Sequence, residues 1–397
     1  MSTPKVALAH ANPDGALATD ALIAAAREAG DVARRFADAV DHEARFPHEA
    51  FAVLREKRLL GAMVPAVHGG SGASLATVAE ICRTLGEHCA STGMIYAMHQ
   101  IQVACLLDHG AGSAWQQQLL ARVADEQLLL ASATSEEAIG GALRSSGCAV
   151  NVEGDRFHLL KMAPTISYGA HADGILITAR RHADASPSDQ VLVCALKADY
   201  TLQSLNTWDT LGMRGTCSNG FRLEATGHVD QVLPVPFGEI ADATMTPVSH
   251  ILWSALWVGI SSDAVSRAKT FFQGQARARP GQLPPSAARV AEAVSMLQMM
   301  EARVDMALER QRARHAGASV SAAFALAAEM NGLKTAMSTM ALDVVQQAML
   351  VCGMAGYKHG TPFSLGRHLR DLWSAPLMIN NDRIQTNTAN LLLADRS

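Results

Sequence analysis

The sequence predicts a mainly α fold with a β domain set between two helical ones. Three observations carry that prediction. Apolar residues recur at helical spacing from Thr19 to about Asp125. From Leu128 to Pro236 short apolar runs alternate with turn signals such as Gly154-Asp155 and Ser186-Pro187. After Pro247 the chain returns to long amphipathic segments. Composition agrees: 49% of residues are hydrophobic but only 5% aromatic, with much Ala, Leu, Val and Met, as suits helices packed through small side chains. The 397 residues suffice for three domains, expected at 1–127, 128–236 and 237–397.

The elements follow in order. Residues 1–15 read as a loose arm. Leu22, Ile23, Ala26, Val32, Phe36 and Val40 mark a first helix, which Phe46-Pro47 ends before a second over Pro47–Arg58. The loop Val64–Ser74 holds three glycines, and Ser74 is placed to cap the next helix. Helices are expected over Thr92–Asp108 and Ser113–Asp125. Strands are expected at Cys148–Val152, Arg156–Lys161, Gly174–Ala179, Val191–Leu196 and Gly220–Glu224, a spacing that suits a barrel or a sandwich. His250–Phe272, Ser286–His315 and Ser319–Cys352 are the long C-terminal helices, with a break at Pro280–Pro285. A loop over Gly353–Pro362 and a helical stretch over Arg370–Leu393, interrupted near Pro376, complete the chain.

Charge and cysteine usage exclude several classes. The net charge is −4 with no long basic run, so no nucleic-acid partner is expected. The seven cysteines are scattered, odd in number and without a CxxC pair, which argues against a disulfide framework or a structural zinc. No His/Cys cluster has metal-ligand spacing, so no metal is expected. No apolar run reaches spanning length and no signal pattern opens the chain. These readings predict a cytoplasmic protein with no membrane partner.

Trp208–Phe221, WDTLGMRGTCSNGF, is the most informative stretch. Its three glycines, Arg214 and the hydroxyls of Thr210, Thr216 and Ser218 can bring backbone N–H groups, hydroxyls and a cation to a flat polar ligand. It resembles the LGxRxS/T segment of acyl-CoA dehydrogenase-type flavoenzymes. Phe46-Pro47 through Gly69–Gly72 is similar to that family's opening "FP…YGG" pattern. Ser135-Glu136 through Gly141 stands in the place of its "TEPGAGS" strand end. Thr165–Asp173 resembles its "WITNGG" strand. Gly353–Tyr357 followed by Arg367–Asp371 resembles its "GGxGY…R…RD" ending. The resemblance implies an N-terminal helical domain, a middle β-barrel and a C-terminal four-helix bundle. It also implies FAD, a homodimer or homotetramer, and a CoA-thioester or small aromatic or acyl substrate. Thr134, Ser135, Thr165, Ser167, Arg214, Thr216 and Ser218 match its flavin-binding positions. Gly353 and Gly356 match the adenine side. Arg277, in QARARPG, is the candidate replacement for the Arg that reaches the partner's cofactor. Arg370-Asp371 reads as an ion pair that orders the last loop.

The sequence departs from the family at its catalytic carboxylate. Position for position, Ile379 stands where the usual Glu lies, and Ser249-His250 stand at the alternative position. Asp382 is offset by three residues, and Glu136 belongs to the cofactor strand end, so neither is expected to be the base. Two functions remain open. One is an FAD-dependent oxidoreductase acting on an acyl-CoA or acyl-carrier thioester with a non-standard base. The other is a flavin-dependent monooxygenase using O2 through a flavin peroxide. The Trp ahead of LGxRxT and the run Gly169–Asp173 resemble the oxygenase branch. His99 and His250 are the candidate catalytic residues, since neutral imidazole is a competent base near pH 7. His171 is expected to be structural.

Overall fold

The computed structural model describes residues 14–110, 112–137, 143–313 and 320–394. The expected arm lies outside these residues except for its last two positions, and so do Gly141 and the end of the Ser286–His315 helix beyond Ala313.

Helices open the chain: α1 (Asp14–Glu43), α2 (His48–Glu56), α3 (Leu75–Gly86), α4 (Ala90–His109) and α5 (Ala114–Asp125). Pro47 sets the gap between α1 and α2. Ser74 caps α3, its hydroxyl accepting from the Thr77 N–H at 3.1 Å. The whole span from Ala90 to Leu106 is buried except Met98, so α4 is covered on all sides and runs through the middle of the molecule.

Among the described residues seven strands follow: β1 (Leu130–Ala133), β2 (Asn151–Glu153), β3 (Arg156–Ala163), β4 (Gly174–Arg180), β5 (Gln190–Leu196), β6 (Tyr200–Ser204) and β7 (Phe221–His228). They form two sheets, ordered β1-β4-β5 and β2-β3-β7-β6. β1 runs parallel to β4, with Leu130 opposite Gly174. β3 pairs antiparallel with β7, from Arg156 opposite His228 to Ala163 opposite Phe221. The β region is therefore two sheets of three and four strands. Strict alternation along β3 turns Phe157, Leu159, Lys161 and Ala163 inward. Lys161 is fully buried among them. Its ammonium donates to the Thr178 carbonyl at 2.7 Å, on β4 of the other sheet, and lies 3.3 Å from the Glu136 carboxylate. Glu136 also accepts from Ser146 Oγ and from the Gly147 and Cys148 N–H groups. This ion pair fastens the sheets together and removes Glu136 from any role as a base.

The C-terminal part is helical: α6 (Phe237–Ile240), one π turn (Ala241–Met245), α7 (Thr246–Ala278), α8 (Ala287–Arg312), α9 (Val320–Cys352), α10 (Met354–Tyr357), α11 (Gly366–Leu372), α12 (Ser374–Leu377) and α13 (Asn381–Ala394). α7, α8, α9 and α13 pack together, with α9 touching the other three. α7 also crosses α3 and α4, where Gly86 and Gly93 leave room for Leu256. Asp263 on α7 binds Arg34 of α1 at 2.9 Å, Arg267 at 2.7 Å and His368 of α11 at 2.7 Å. Burial alone opposes its charge, but these partners hold its carboxyl far below the usual carboxylate range.

Candidate active site

Strand ends, α4, the first turns of α7 and the segment 370–379 enclose a cavity of about 590 Å³. One wall is polar and is built from hydroxyls. Thr134 and Ser135 follow the end of β1, Thr165 and Ser167 lie between β3 and β4, and Thr216 and Ser218 precede β7. Ser135 Oγ donates to the Thr165 carbonyl at 2.9 Å. Thr216 Oγ1 and Ser218 Oγ are 2.8 Å apart, and Ser218 donates onward to Ser167 Oγ at 2.9 Å. Ser167 Oγ thus accepts a hydrogen bond from Ser218, which leaves its own hydroxyl hydrogen available to a ligand in the cavity.

The polar wall depends on the turn Trp208–Phe221. Met213 and Cys217 adopt φ of 51° and 45°, a left-handed conformation uncommon for such residues. Several contacts hold it. Trp208 Nε1 donates to the Met213 carbonyl at 3.0 Å, and the Met213 N–H donates to Asp371 Oδ1 at 2.7 Å. Burial pushes the Asp371 carboxyl up to about 6. Arg370 pairs with Asp41 and donates to the Leu211 carbonyl at 2.9 Å. Arg370 and Asp371 therefore order the cavity wall from behind.

The opposite wall is apolar and rich in methionine: Met94, Met98 and Ile101 from α4, Met245 and Trp253 from the start of α7, and Met378 beyond α12. Ile379 also lines the cavity, at φ 45°. Among the described residues no Asp or Glu stands on the cavity wall. Among the described residues no group of three or more His, Cys, Asp or Glu could hold a metal, and no helix is long and apolar enough to cross a membrane.

Six of the expected cofactor residues thus share one wall, and the others do not. Arg214 faces away from the cavity: it donates to the Asp41 carbonyl at 2.7 Å, to Asp209 at 2.8 Å and to the Thr210 carbonyl at 2.9 Å. It braces the turn from outside. Arg277 is on the outer end of α7, bonded to the Gln273 carbonyl at 3.2 Å. Gly353, at φ 55°, and Gly356 lie at the α9–α10 junction and do not line the cavity.

Neither candidate histidine lines the cavity. His99 is fully buried and off the cavity wall. Its Nε2 lies 2.9 Å from the Leu60 carbonyl and its Nδ1 accepts from the Leu130 N–H at 3.0 Å. Both nitrogens are committed to backbone, and burial holds its pKa down at about 4. His250 is buried between α7 and α9, its Nδ1 donating to the Met330 carbonyl at 3.0 Å. Burial lowers it to about 4 as well. His171 stacks on Phe46 with ring centroids 4.5 Å apart. Asp382 opens α13, outside the cavity wall. Sequence reading missed Gln102 and Trp253, two buried polar side chains that line the apolar wall.

A helical layer, two sheets and a helical bundle, with one cavity where they meet, define the acyl-CoA dehydrogenase fold. Residues 19–127 match the acyl-CoA dehydrogenase N-terminal domain, and the chain shares its fold with glutaryl-coenzyme A dehydrogenase, which superposes with a TM-score of 0.80 at 15% identity. Amino sugar nitrososynthase DnmZ of Streptomyces peucetius is 26% identical to it over 95% of both chains. Cyclohex-1-ene-1-carbonyl-CoA dehydrogenase of Geobacter metallireducens is 30% identical, but the match spans only 35% of this chain and 37% of that protein. The FMN-bound structure of the dibenzothiophene monooxygenase TdsC from Paenibacillus sp. A11-2 superposes with a TM-score of 0.82 at 18% identity, over 94% of this chain and 98% of that one.

Proposed function

We propose that the protein is a flavin-dependent monooxygenase, with flavin along the hydroxyl wall and substrate against the methionine wall. The observation that carries this reading is that no carboxylate stands among the described residues of the cavity wall. Removing an α-proton from a thioester needs a base within hydrogen-bond reach. Ile379 stands at the position of the usual Glu, Ser249 bonds the Met245 carbonyl, and His250 faces α9. Arg370 is the one charged residue on the wall among the described residues, and it is paired with Asp41.

The hydroxyl set suits a flavin. An isoalloxazine edge offers carbonyl and ring-nitrogen acceptors, and Ser167 has a proton to give. Bound reduced flavin supplies electrons to O2. The chain's part is to orient the ring through Thr216, Ser218 and Ser167 and to keep water out with Met94, Met98 and Met245. The resemblance to dehydrogenases implies FAD, but Arg277, Gly353 and Gly356 stand away from the cavity within one chain. FMN needs none of them, and we take FMN as the cofactor. In this reading 1–127, 128–236 and 237–397 act as three domains of a cytoplasmic homo-oligomer.

The alternative is an acyl-CoA dehydrogenase, which the N-terminal domain and the partial match to the Geobacter enzyme favour. Anaerobic mixing with acyl-CoA thioesters separates the two. Oxidised flavin should stay yellow with all of them, and the chromophore released on denaturation should run as FMN. Bleaching by an acyl-CoA without added reductant would overturn the oxygenase reading.

A further inference from the structure

Three hydroxyls of the cavity wall form a continuous chain. Thr216 Oγ1 lies 2.8 Å from the Met213 carbonyl and 2.8 Å from Ser218 Oγ, and Ser218 Oγ lies 2.9 Å from Ser167 Oγ. Thr216 and Ser218 are each 3% exposed, whereas Ser167 is half-buried and opens onto the cavity. Backbone bonds fix the oxygens in place. On either side of Ser167, the Ile166 N–H donates to the Asn219 carbonyl at 2.9 Å and the Tyr168 N–H to the Thr216 carbonyl at 2.7 Å. In such a frame a hydroxyl can turn its hydrogen without moving its oxygen.

The chain has more links than hydrogens. With a ligand atom at Ser167 there are four links: Met213 to Thr216, Thr216 to Ser218, Ser218 to Ser167, and Ser167 to the ligand. Three hydroxyls supply three hydrogens. If the ligand atom accepts, the hydroxyls point toward it and one link behind them stays empty. The gap costs least at the Met213 carbonyl, which keeps its bonds from Trp208 Nε1 at 3.0 Å and from the Thr216 N–H at 3.1 Å. If the ligand atom donates, each hydroxyl turns the other way, Thr216 donates to Met213, and all four links are filled. Both directions are open, and the second makes one more hydrogen bond.

We infer that Thr216, Ser218 and Ser167 form a reversible chain that presents a donor to oxidised flavin and an acceptor to reduced flavin, and so favours the reduced form. This rests on the flavin part of the proposed function and adds the residues that set the flavin's redox balance. An isoalloxazine ring nitrogen that accepts when oxidised carries a hydrogen once reduced. Fixed donors such as backbone N–H groups oppose that added hydrogen, and rotating hydroxyls do not. Thr216 and Ser218 are positioning residues in this role, since they act through Ser167.

Anaerobic titration with FMN, oxidised and then reduced by dithionite, tests this through the ratio of the two dissociation constants. In Thr216→Val, Ser167 still donates to oxidised FMN, whose affinity should change less than about threefold. Reduced FMN should bind about tenfold more weakly, because one hydroxyl hydrogen is then left without an acceptor. Ser218→Ala should act in the same way, by interrupting the chain one link nearer the ring. A tenfold change in the ratio lowers the two-electron potential of the bound flavin by about 30 mV. Thr216→Ser, which restores the hydroxyl, should return both affinities to those of the wild type. Both forms weakened equally would show that the hydroxyls only brace the wall, and a ratio unchanged in both variants would show that the chain does not reverse. Either result overturns the inference and leaves the flavin reading standing. A wild type that binds FMN in neither state would overturn the cofactor reading beneath it.

Discussion

His99 shows how far a side chain's surroundings decide its chemistry. Its neighbours Met94, Met98, Ile101 and Gln102 face the cavity, four positions that recur at three-and-four spacing. His99 is one residue past Met98, about 100° around the helix, and so meets the backbone of Leu60 and Leu130 instead. His99→Ala should therefore act on stability. It strands two buried backbone groups, and a loss on the order of 3 kcal/mol is expected in denaturant melts. Variant protein of wild-type stability but without activity would show that the imidazole works in catalysis after all. The pH dependence has a definite sign. Free histidine titrates near 6.5, roughly its unfolded value, whereas His99 and His250 titrate at about 4 in the folded chain. Between those values the unfolded chain binds more protons. Stability should thus hold above about pH 6.5 and fall as pH is lowered toward about 4. Replacing His250 with Asn should flatten part of that slope, and an unchanged slope in equilibrium melts would contradict the assignment. Ile379 is the other instructive residue. A β-branched side chain at φ 45° is strained, and it lies at the cavity where a catalytic Glu is expected.

At the scale of elements, the turn Trp208–Phe221 is held as much by the C-terminal helices as by its own sequence. A methyl group at Gly212 would overlap the Arg370 carbonyl. Gly212→Ala should therefore displace the hydroxyl wall and weaken flavin binding at least tenfold, with the helical signal intact. Flavin titration followed by fluorescence measures it, and unchanged affinity would show that the turn does not set the wall. The ends of the β region and the helix breaks were legible in the sequence because Pro47, Ser74 and Pro280–Pro285 act locally. β1 and β6 were missed because four or five residues carry too little alternation to stand out. The hydroxyls at strand ends were legible because strand order alone brings them together. Arg214 was not, since only the fold reveals that Asp41 of α1 lies behind the turn. Trp253 and Gln102 were invisible for the same reason: each looks like an ordinary helix residue until α4 and α7 are seen to cross.

At the scale of the whole molecule, the α9–α10 junction presents an apolar surface. Leu350, Met354 and Tyr357 are 58%, 63% and 70% exposed around the α9–α10 junction, beside Gly353 and Gly356. Exposed large apolar side chains grouped in this way mark an association surface. The same junction carries the glycines that the family resemblance assigns to the adenine end of FAD. Association there would present them to a neighbouring subunit's cavity or leave them as plain contact, and the two cases can be told apart. Light scattering at micromolar concentration should give a particle of at least twice the 42.1 kDa chain mass, as a dimer or tetramer. Leu350→Glu combined with Tyr357→Ser should shift it toward monomer, since charge at an apolar contact is costly to desolvate. If the cofactor is FMN held within one chain, the separated subunits should keep their flavin with affinity changed less than about threefold. Flavin lost in step with dissociation would mean that a partner completes the site, and FAD would regain its place. A clean monomer in the unmodified protein would remove the association surface itself.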